Sequence, residues 1–294
     1  MPPTVHVTGE LPARVHDALL ESFALADRVD GVDGILSLLT TRVGSALLDR
    51  AGPQLRIVAN YGVGVDNVDL EAARSRNVVI ANTPDVLTDD VAELTIALTL
   101  ALLRRVAEGD RFLRRQSRWS FSLEFMLGES LRGKTFGVVG PGRIGRAAAS
   151  LAEGLGARPL FAGRGDDLGV LLEAADVVSL HCPLTPGTRH LIDAAALARM
   201  RPTAVLVNTA RGQIVDEPAL LGALRDGTIA GAALDVYEHE PEVSPGLLDL
   251  DNVVLTPHIA SATRDTREAM GLLAVDALRA VLLHGRRPVN AVDT

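Results

Sequence analysis

Short runs of β-branched and aliphatic residues recur along the chain, separated by stretches in which apolar residues return every three or four positions. Continuous apolar runs suit strands buried on both faces, and the intervening spacing suits helices that cover those faces. The rhythm therefore predicts parallel sheets joined by crossover helices. Strands are expected first over residues 4–7, 34–38, 56–60 and 78–81, with helices over 11–22, 45–51 and 70–76. A longer helix, able to bridge two domains, is expected over 89–107; Thr88 stands as its N-cap, and Asp89 and Asp90 put acids in its first turn. Residues 111–132, with Trp119, Phe121 and Phe125, read as a looser segment. The strand rhythm resumes at 135–139 and continues at 158–161, 177–180, 204–208, 232–235 and 253–255 before a last helix over 265–283. Two sheets result, and the chain returns to its first domain at the end.

Length agrees with this division. A chain of 294 residues exceeds what one core ordinarily serves, and 47% hydrophobic residues suffice to build two. The net charge of −8 disfavours phosphate backbones and anionic lipid, so neither nucleic acid nor membrane is an expected partner. Arg111, Arg114, Arg115 and Arg118 form a local exception, read as a solvated helix face or a subunit contact. The single cysteine, Cys182, permits no intramolecular disulfide and fits a reducing compartment. The N-terminus has no basic start followed by an apolar run, and the most apolar stretch, 94–103, is shorter than the ~20 residues a bilayer requires. A cytoplasmic protein is expected.

The sharpest local signal is Gly140-Pro141-Gly142-Arg143-Ile144-Gly145, which follows the apolar run 136–139 and opens a helical pattern. A dinucleotide-binding turn requires that context. Gly140 permits the tight turn, Gly142 lets the backbone approach a pyrophosphate, and Gly145 lets helix and strand pack closely. The N–H groups at the start of the helix then meet the phosphate charge. Without its flanking strand and helix the same pattern could be a merely structural turn. Adenine-ribose recognition falls to the end of the next strand, where an acid binds the hydroxyls of NAD(H). Here that tip reads Gly163-Arg164-Gly165, with room at Gly163 and a guanidinium at Arg164, which suits the 2′-phosphate of NADP(H). Asp166 and Asp167 follow closely and could restore NAD(H) binding, and an exposed Arg164 in an ordinary turn is the plainer alternative.

Three further residues lie just past strand runs: Arg211 in Asn208-Thr209-Ala210-Arg211-Gly212, Glu240 in Asp235-Val236-Tyr237-Glu238-His239-Glu240-Pro241, and His258 in Thr256-Pro257-His258-Ile259. Ligands of open α/β sheets bind at the carboxyl ends of strands, where these residues stand. Reducing a 2-oxo acid requires that the carboxylate be held, the ketone oxygen polarised, and a proton supplied as hydride arrives. The planar fork of arginine suits the first two tasks, and a histidine titrating near neutrality suits the third. A carboxylate beside the histidine would hold its ring in place. Read singly, each has an ordinary alternative: a loop histidine, a surface Arg-Gly turn, a Glu-Pro element end. Their joint occurrence after a dinucleotide turn carries the reading.

With these motifs the chain resembles the D-isomer-specific 2-hydroxyacid dehydrogenase family. The matching segments are Gly62-Val63-Gly64-Val65-Asp66-Asn67-Val68-Asp69, Asn82-Thr83-Pro84, Thr88 with Glu93, the glycine turn, and the segments that carry Arg211, Glu240 and His258 at the family's spacing. The resemblance implies two Rossmann-like doubly wound parallel-sheet domains. A cofactor domain over 99–267 is inserted into a flavodoxin-like substrate domain of 1–98 and 268–294, with a hinge and an active-site cleft. It implies that Arg211 binds the substrate carboxylate and carbonyl. His258 is the acid in reduction and the base in oxidation, Glu240 pairs with it, and the N–H groups of Val63 and Gly64 hold the carboxylate. Cofactor contacts are implied at Thr88, Arg143, Ile144, Cys182, Ala210, Asp235, His258 and Ala260, beside Gly140, Gly142, Gly145, Gly163 and Arg164. It further implies a homodimer joined through the cofactor domain.

Gly163-Arg164 and the segment 82–92 resemble the glyoxylate, hydroxypyruvate and hydroxyphenylpyruvate reductase branch. An NAD-dependent dehydrogenase of the 3-phosphoglycerate type and a non-catalytic nicotinamide-sensing protein remain alternatives, separable by turnover of a 2-oxo acid. The histidines outside the trio show no metal-ligand spacing, so no metal is expected. Selectivity for the acid's side chain is expected from the loops at 36–40, Tyr61 and 121–126.

Overall fold

The computed structural model describes residues 1–115 and 119–293. It divides into two compact units, Met1–Leu87 together with the segment from Ser261 onward, and Thr88–Ala260. The first unit begins β1 (Thr4–Val7), α1 (Ala13–Leu20), β2 (Ala24–Ala26), β3 (Gly34–Leu38), α2 (Ser45–Ala51), β4 (Ile57–Tyr61), α3 (Leu70–Ser75) and β5 (Val79–Ala81). Its sheet runs β2-β1-β3-β4-β5 with every pairing parallel. This is the flavodoxin-like order, and it reverses between β1 and β3. All five residues of β4 are buried, as expected of a strand covered by helices on both sides. Leu48 of α2 and Ala73 of α3 pack with Ile35, Val58 and Ile80 beneath them.

The second unit opens with α4 (Thr88–Leu103) and α5 (Val106–Arg115). It continues β6 (Thr135–Val139), α6 (Arg143–Gly154), β7 (Arg158–Ala162), α7 (Leu168–Ala174), β8 (Val177–Leu180) and α8 (Ala194–Arg199). Then follow β9 (Val205–Asn208), a single 3-10 turn at Gly212–Ile214, α9 (Glu217–Arg225), β10 (Gly231–Leu234), α10 (Pro245–Leu248) and β11 (Val253–Leu255). Its parallel sheet has the order β11-β10-β9-β8-β6-β7. The order reverses between β6 and β8, which opens a crevice at their carboxyl ends. One face packs on Ile96 and Leu103 of α4 and Ala148 and Ala152 of α6. The other packs on Leu171, Leu197 and Leu220 of α7, α8 and α9.

The chain then returns to the first unit as α11 (Arg264–Leu282), capped by Thr263, whose hydroxyl accepts from the N–H of Thr266. Buried Met270, Ala274, Leu278 and Val281 lay this helix against β3, β4 and α1. Gly34 permits the close approach, since a Cβ there would lie 3.0 Å from both Leu278 and Leu282.

Three features differ from the sequence expectation. The first boundary falls at 87/88 rather than 98/99, because α4 packs along α6, β9, β10 and β11 over its whole length; the second falls at 260/261 rather than 267/268, just before α11. Thr88 is the first residue of α4 rather than its cap, and the expected helix over 89–107 is two helices. Arg105 takes a left-handed φ of 54°, held by a two-pronged pair with Glu108 at 2.7 Å. In the basic cluster, Arg111 pairs with Asp251 and Arg114 with Asp110, while Arg118 lies outside the described residues. Among the described residues no helix is long and apolar enough to cross a membrane.

Candidate active site

Every residue singled out in the second half of the sequence stands at the carboxyl end of a strand of the second unit or at the start of the helix that follows. After β6, Gly140 adopts a φ of 88° and its N–H donates to the carbonyl of Ala162 at 2.8 Å, tying the turn to the next strand. A Cβ on Gly140 would lie 2.6 Å from the backbone nitrogen of Cys182, and one on Gly145 would lie 2.7 Å from the carbonyl oxygen of Gly140. Both are glycines of necessity. A Cβ on Gly142, by contrast, would meet no protein atom within 4 Å. Gly142 is also the N-cap of α6 and offers no capping side chain. These features fit a pyrophosphate, which needs bare helix-end donors and close backbone approach. Arg143 and Ile144 form the first turn of the helix.

At the tip of β7, Gly163 to Asp166 form a turn: the N–H of Asp166 donates to Gly163 O at 3.3 Å, and Gly165 takes a φ of 93°. Arg164 is exposed. Asp166 folds back so that its Oδ2 accepts from the N–H of Gly163 at 2.8 Å. Asp167 caps α7 by accepting from the N–H of Gly169 at 2.8 Å.

Past β9, the buried side chain of Asn208 shapes the loop that carries Arg211. Its Oδ1 accepts from Ala210 N at 3.0 Å and its Nδ2 donates to Arg211 O at 2.8 Å. Thr209 shares a hydroxyl hydrogen bond with Thr95 of α4 at 2.9 Å. Next in sequence, Gly212 packs directly on the loop past β10: a Cβ there would lie 1.9 Å from the carbonyl carbon of Tyr237. Gln213 adds a hydrogen bond from Nε2 to the carbonyl of Glu238 at 2.9 Å. The carboxylate of Glu238 is itself held by His190 Nε2 at 2.6 Å and Arg189 at 3.3 Å. The loops bearing Arg211 and Glu240 are thereby locked together. Sequence reading did not single out Gly212, Gln213, Glu238 or His190 for this; the runs around Arg211 and Glu240 contain Gly212 and Glu238, but only packing reveals what they touch.

His258 Nδ1 and Glu240 Oε2 are 2.8 Å apart, and Glu240 Oε1 accepts from the N–H of Tyr237 at 3.0 Å. The structure thus brings His258 and Glu240 into contact. Their side chains keep 33% and 34% of their surface exposed, which leaves the pair within reach of a solute. His258 has a φ of 53°, a region uncommon for residues other than glycine, and its N–H donates to Asp235 O at 2.8 Å and Thr256 O at 3.1 Å. Asp235, fully buried, fixes the rest of that loop. Its Oδ1 accepts from Thr256 Oγ1 at 2.6 Å and Ile259 N at 2.9 Å, and its Oδ2 from Ala260 N at 2.8 Å. Burial pushes the carboxyl of Glu240 up, but the hydrogen bond and charge of His258, the Tyr237 N–H and the charge of Arg211 outweigh it and hold Glu240 below its ordinary value. With Glu240 ionised, Nδ1 carries a proton and donates it; Nε2, which has no partner among the described residues, is the atom that can give or take one.

In the first unit, the loop past β4 carries Val63 and Gly64. Their carbonyls accept from Asn82 Nδ2 and Asn60 Nδ2, each at 2.8 Å, while their N–H groups have no partner among the described residues. Two partly exposed donors on a braced backbone suit a carboxylate.

Residues 96–260 match the model of the D-isomer specific 2-hydroxyacid dehydrogenase NAD binding domain. The chain is 43% identical to a glyoxylate reductase of Korarchaeum cryptofilum over all of its own length and 96% of the relative's. It is likewise 43% identical to a glyoxylate reductase of Thermococcus litoralis, over 92% of this chain and 86% of that one. Among solved structures, the NADPH-dependent glyoxylate/hydroxypyruvate reductase of Sinorhizobium meliloti in complex with NADP and malonate superposes with a TM-score of 0.88 at 38% identity, covering 99% of this chain and 97% of that one. A protein of Thermus thermophilus superposes with a TM-score of 0.91 at 42% identity, covering 99% and 100%. On the match to the domain model and on relatives this similar across nearly its whole length, the chain belongs to the D-isomer specific 2-hydroxyacid dehydrogenase family.

Proposed function

We propose that the protein reduces a small 2-oxo acid of the glyoxylate or hydroxypyruvate kind to its 2-hydroxy acid, with NADP(H) favoured over NAD(H). The observation that carries this reading is the His258–Glu240 pair at 2.8 Å on loops braced against that of Arg211. Arg211, with its two-pronged guanidinium, binds the substrate carboxylate and polarises the ketone oxygen. The nicotinamide cofactor supplies the hydride that reduces the carbonyl carbon. His258 gives the proton on Nε2 to the carbonyl oxygen, and Glu240 keeps the ring oriented and balances its charge. In oxidation His258 takes the hydroxyl proton on the same atom.

Gly140, Gly142, Arg143, Ile144 and Gly145 cradle the pyrophosphate, and Gly163 and Arg164 meet the adenine ribose. Thr88, Cys182, Ala210, Asp235 and Ala260 line the remainder. NADP(H) is favoured by the exposed guanidinium of Arg164 and by the NADPH dependence of the Sinorhizobium meliloti relative. A homodimer formed through the second unit is supported by Trp119, Phe121 and Leu123, which are 58%, 79% and 84% exposed and would be costly to leave in water. The single cysteine is consistent with a cytoplasmic setting.

The test is a purified-enzyme assay of glyoxylate, hydroxypyruvate, pyruvate and hydroxyphenylpyruvate with NADPH and NADH in parallel, followed by nicotinamide absorbance. His258→Gln should lower kcat by about 10² to 10⁴ while leaving cofactor affinity within a few-fold. Unchanged turnover would refute the proton-donor role, and no turnover of any 2-oxo acid by the wild type would refute the proposal.

A further inference from the structure

The sheet of the first unit ends at β5, and a segment near the C-terminus runs back along that edge. Ala81 and Ala291 form an antiparallel bridge there, and the N–H of Val292 donates to Ile80 O at 2.8 Å. This strap covers backbone groups that an edge strand otherwise leaves open. Its buried residue Asn290 makes a contact that edge cover does not require. The carbonyl of Asn290 accepts from Asn82 N at 3.1 Å, and its side-chain Nδ2 also donates to Asn82 O at 2.5 Å. Asn82 is the first residue past β5, and its own side chain reaches the loop past β4. There its Nδ2 donates to Val63 O at 2.8 Å, while the N–H of Thr83 donates to Gly62 O at 3.0 Å. The hydroxyl of Thr83 is buried without a partner among the described residues, so it adds nothing to the anchoring of this segment. Residues 82–83 are therefore held by Asn290 on one side and hold two consecutive carbonyls of the loop on the other.

We propose that Asn290 is a positioning residue for the substrate: through Asn82 and Thr83 it aims the N–H groups of Val63 and Gly64 at the carboxylate of a 2-oxo acid. This rests on the reductase reading above and deepens it, by giving the C-terminal segment a part in binding the acid. The carbonyl of one residue and the N–H of the next lie in one rigid plane. Holding Gly62 O therefore fixes the direction of the Val63 N–H, and holding Val63 O fixes that of the Gly64 N–H. Two such donors bind an anion well only when both point at it. The carboxylate is held alike before and during hydride transfer, so loss of aim weakens ground state and transition state equally; KM rises and kcat stays. Loss of one hydrogen bond to a charged group lowers affinity about tenfold.

The experiment compares the full-length wild type with Asn290→Leu and Asn290→Ser in steady-state kinetics of glyoxylate and hydroxypyruvate reduction at saturating NADPH or NADH, with melting midpoints and calorimetric cofactor affinity measured alongside. Leucine has nearly the size of asparagine but no donor, and the serine hydroxyl is too short to reach Asn82 O. KM does not depend on how much of a preparation is folded, so a destabilised variant still answers the question. Each variant should raise KM about tenfold, while kcat and cofactor affinity stay within about twofold of wild type. Asn82→Ala should raise KM as well, and its combination with Asn290→Leu should raise KM by less than the product of the separate effects, since both act on the same loop. A lower melting midpoint with KM unmoved would make Asn290 an edge cover alone, and a fall in kcat at constant KM would place its effect elsewhere; either result overturns the inference and leaves the reductase reading standing. If the wild type turns over no 2-oxo acid, both fall.

Discussion

Replacing Gly212 by alanine should cripple the reaction without touching any group that performs it. The added Cβ would stand 1.9 Å from the carbonyl carbon of Tyr237, 2.0 Å from its oxygen and 2.4 Å from the nitrogen of Glu238. Ordinary carbon contacts lie near 3.5 Å or beyond, so the two loops must separate by about 1.5 Å, and backbone cannot swing aside as a flexible side chain would. Arg211 directly precedes Gly212, and Tyr237 N holds Glu240, the partner of His258. The separation therefore falls between the guanidinium and the acid–base pair. A misplacement of about 1 Å costs on the order of 10²-fold in rate, so kcat/KM for a 2-oxo acid should fall about 100-fold or more. Overpacking should also lower stability by about 1 to 3 kcal/mol. Gly222→Ala serves as the control. Its Cβ would meet nothing within 4 Å inside α9, so it should raise stability by about 0.5 to 1 kcal/mol and leave kcat/KM unchanged. Steady-state kinetics with thermal melting decides the matter. A folded Gly212→Ala enzyme with kcat/KM within threefold of wild type would mean that the spacing of these loops does not position the reacting groups.

Two further outcomes are expected. Gly142→Ala should melt like wild type yet bind dinucleotide at least tenfold more weakly, because its Cβ enters open space at the helix end, whereas Gly140→Ala should fold poorly, since its Cβ would strike Cys182 and its φ is positive; equal melting of the two variants would contradict this. Because the carboxyl of Glu240 is held below its ordinary value of 4.5, its contribution to stability is complete above that pH and is lost only as pH falls through the depressed value. The melting difference between wild type and Glu240→Gln should thus shrink as pH falls below 4.5, and a difference unchanged from pH 5 to about 3 would refute the assignment of charge.

Much of the site was legible because its chemistry lies in contiguous runs at strand ends. The glycine turn, the Arg211 loop and the loop ending at Glu240-Pro241 each carry their signal within a few residues, and β6, β8 and β11 were bounded by their apolar runs. What was not legible depended on contacts across the chain. β2, the three residues Ala24–Ala26 at a sheet edge, shows no alternation by which to find it. The break between α4 and α5 hangs on Arg105, whose left-handed backbone has no glycine to announce it. The domain boundary was misplaced by a helical turn or more because α4 is apolar on most sides, so its periodicity does not say which sheet it serves. Asp235, for which the family resemblance implies a cofactor contact, also accepts three hydrogen bonds from the loop of His258 with its carboxylate, a role visible only once residues 256–260 are brought beside it.

The interruption of the first unit by the second has a consequence for how the polypeptide is made. When β1 to β5 have left the ribosome, the face of β3 and β4 that α11 covers is still bare, and it stays so while the entire second unit is translated. The second unit, contiguous in sequence, has all its strands in hand before Arg264 is added, so it can acquire its native form first. A nascent chain arrested short of Arg264 would carry a finished dinucleotide-binding unit beside an unshielded sheet, which is a substrate for chaperones and an invitation to aggregation.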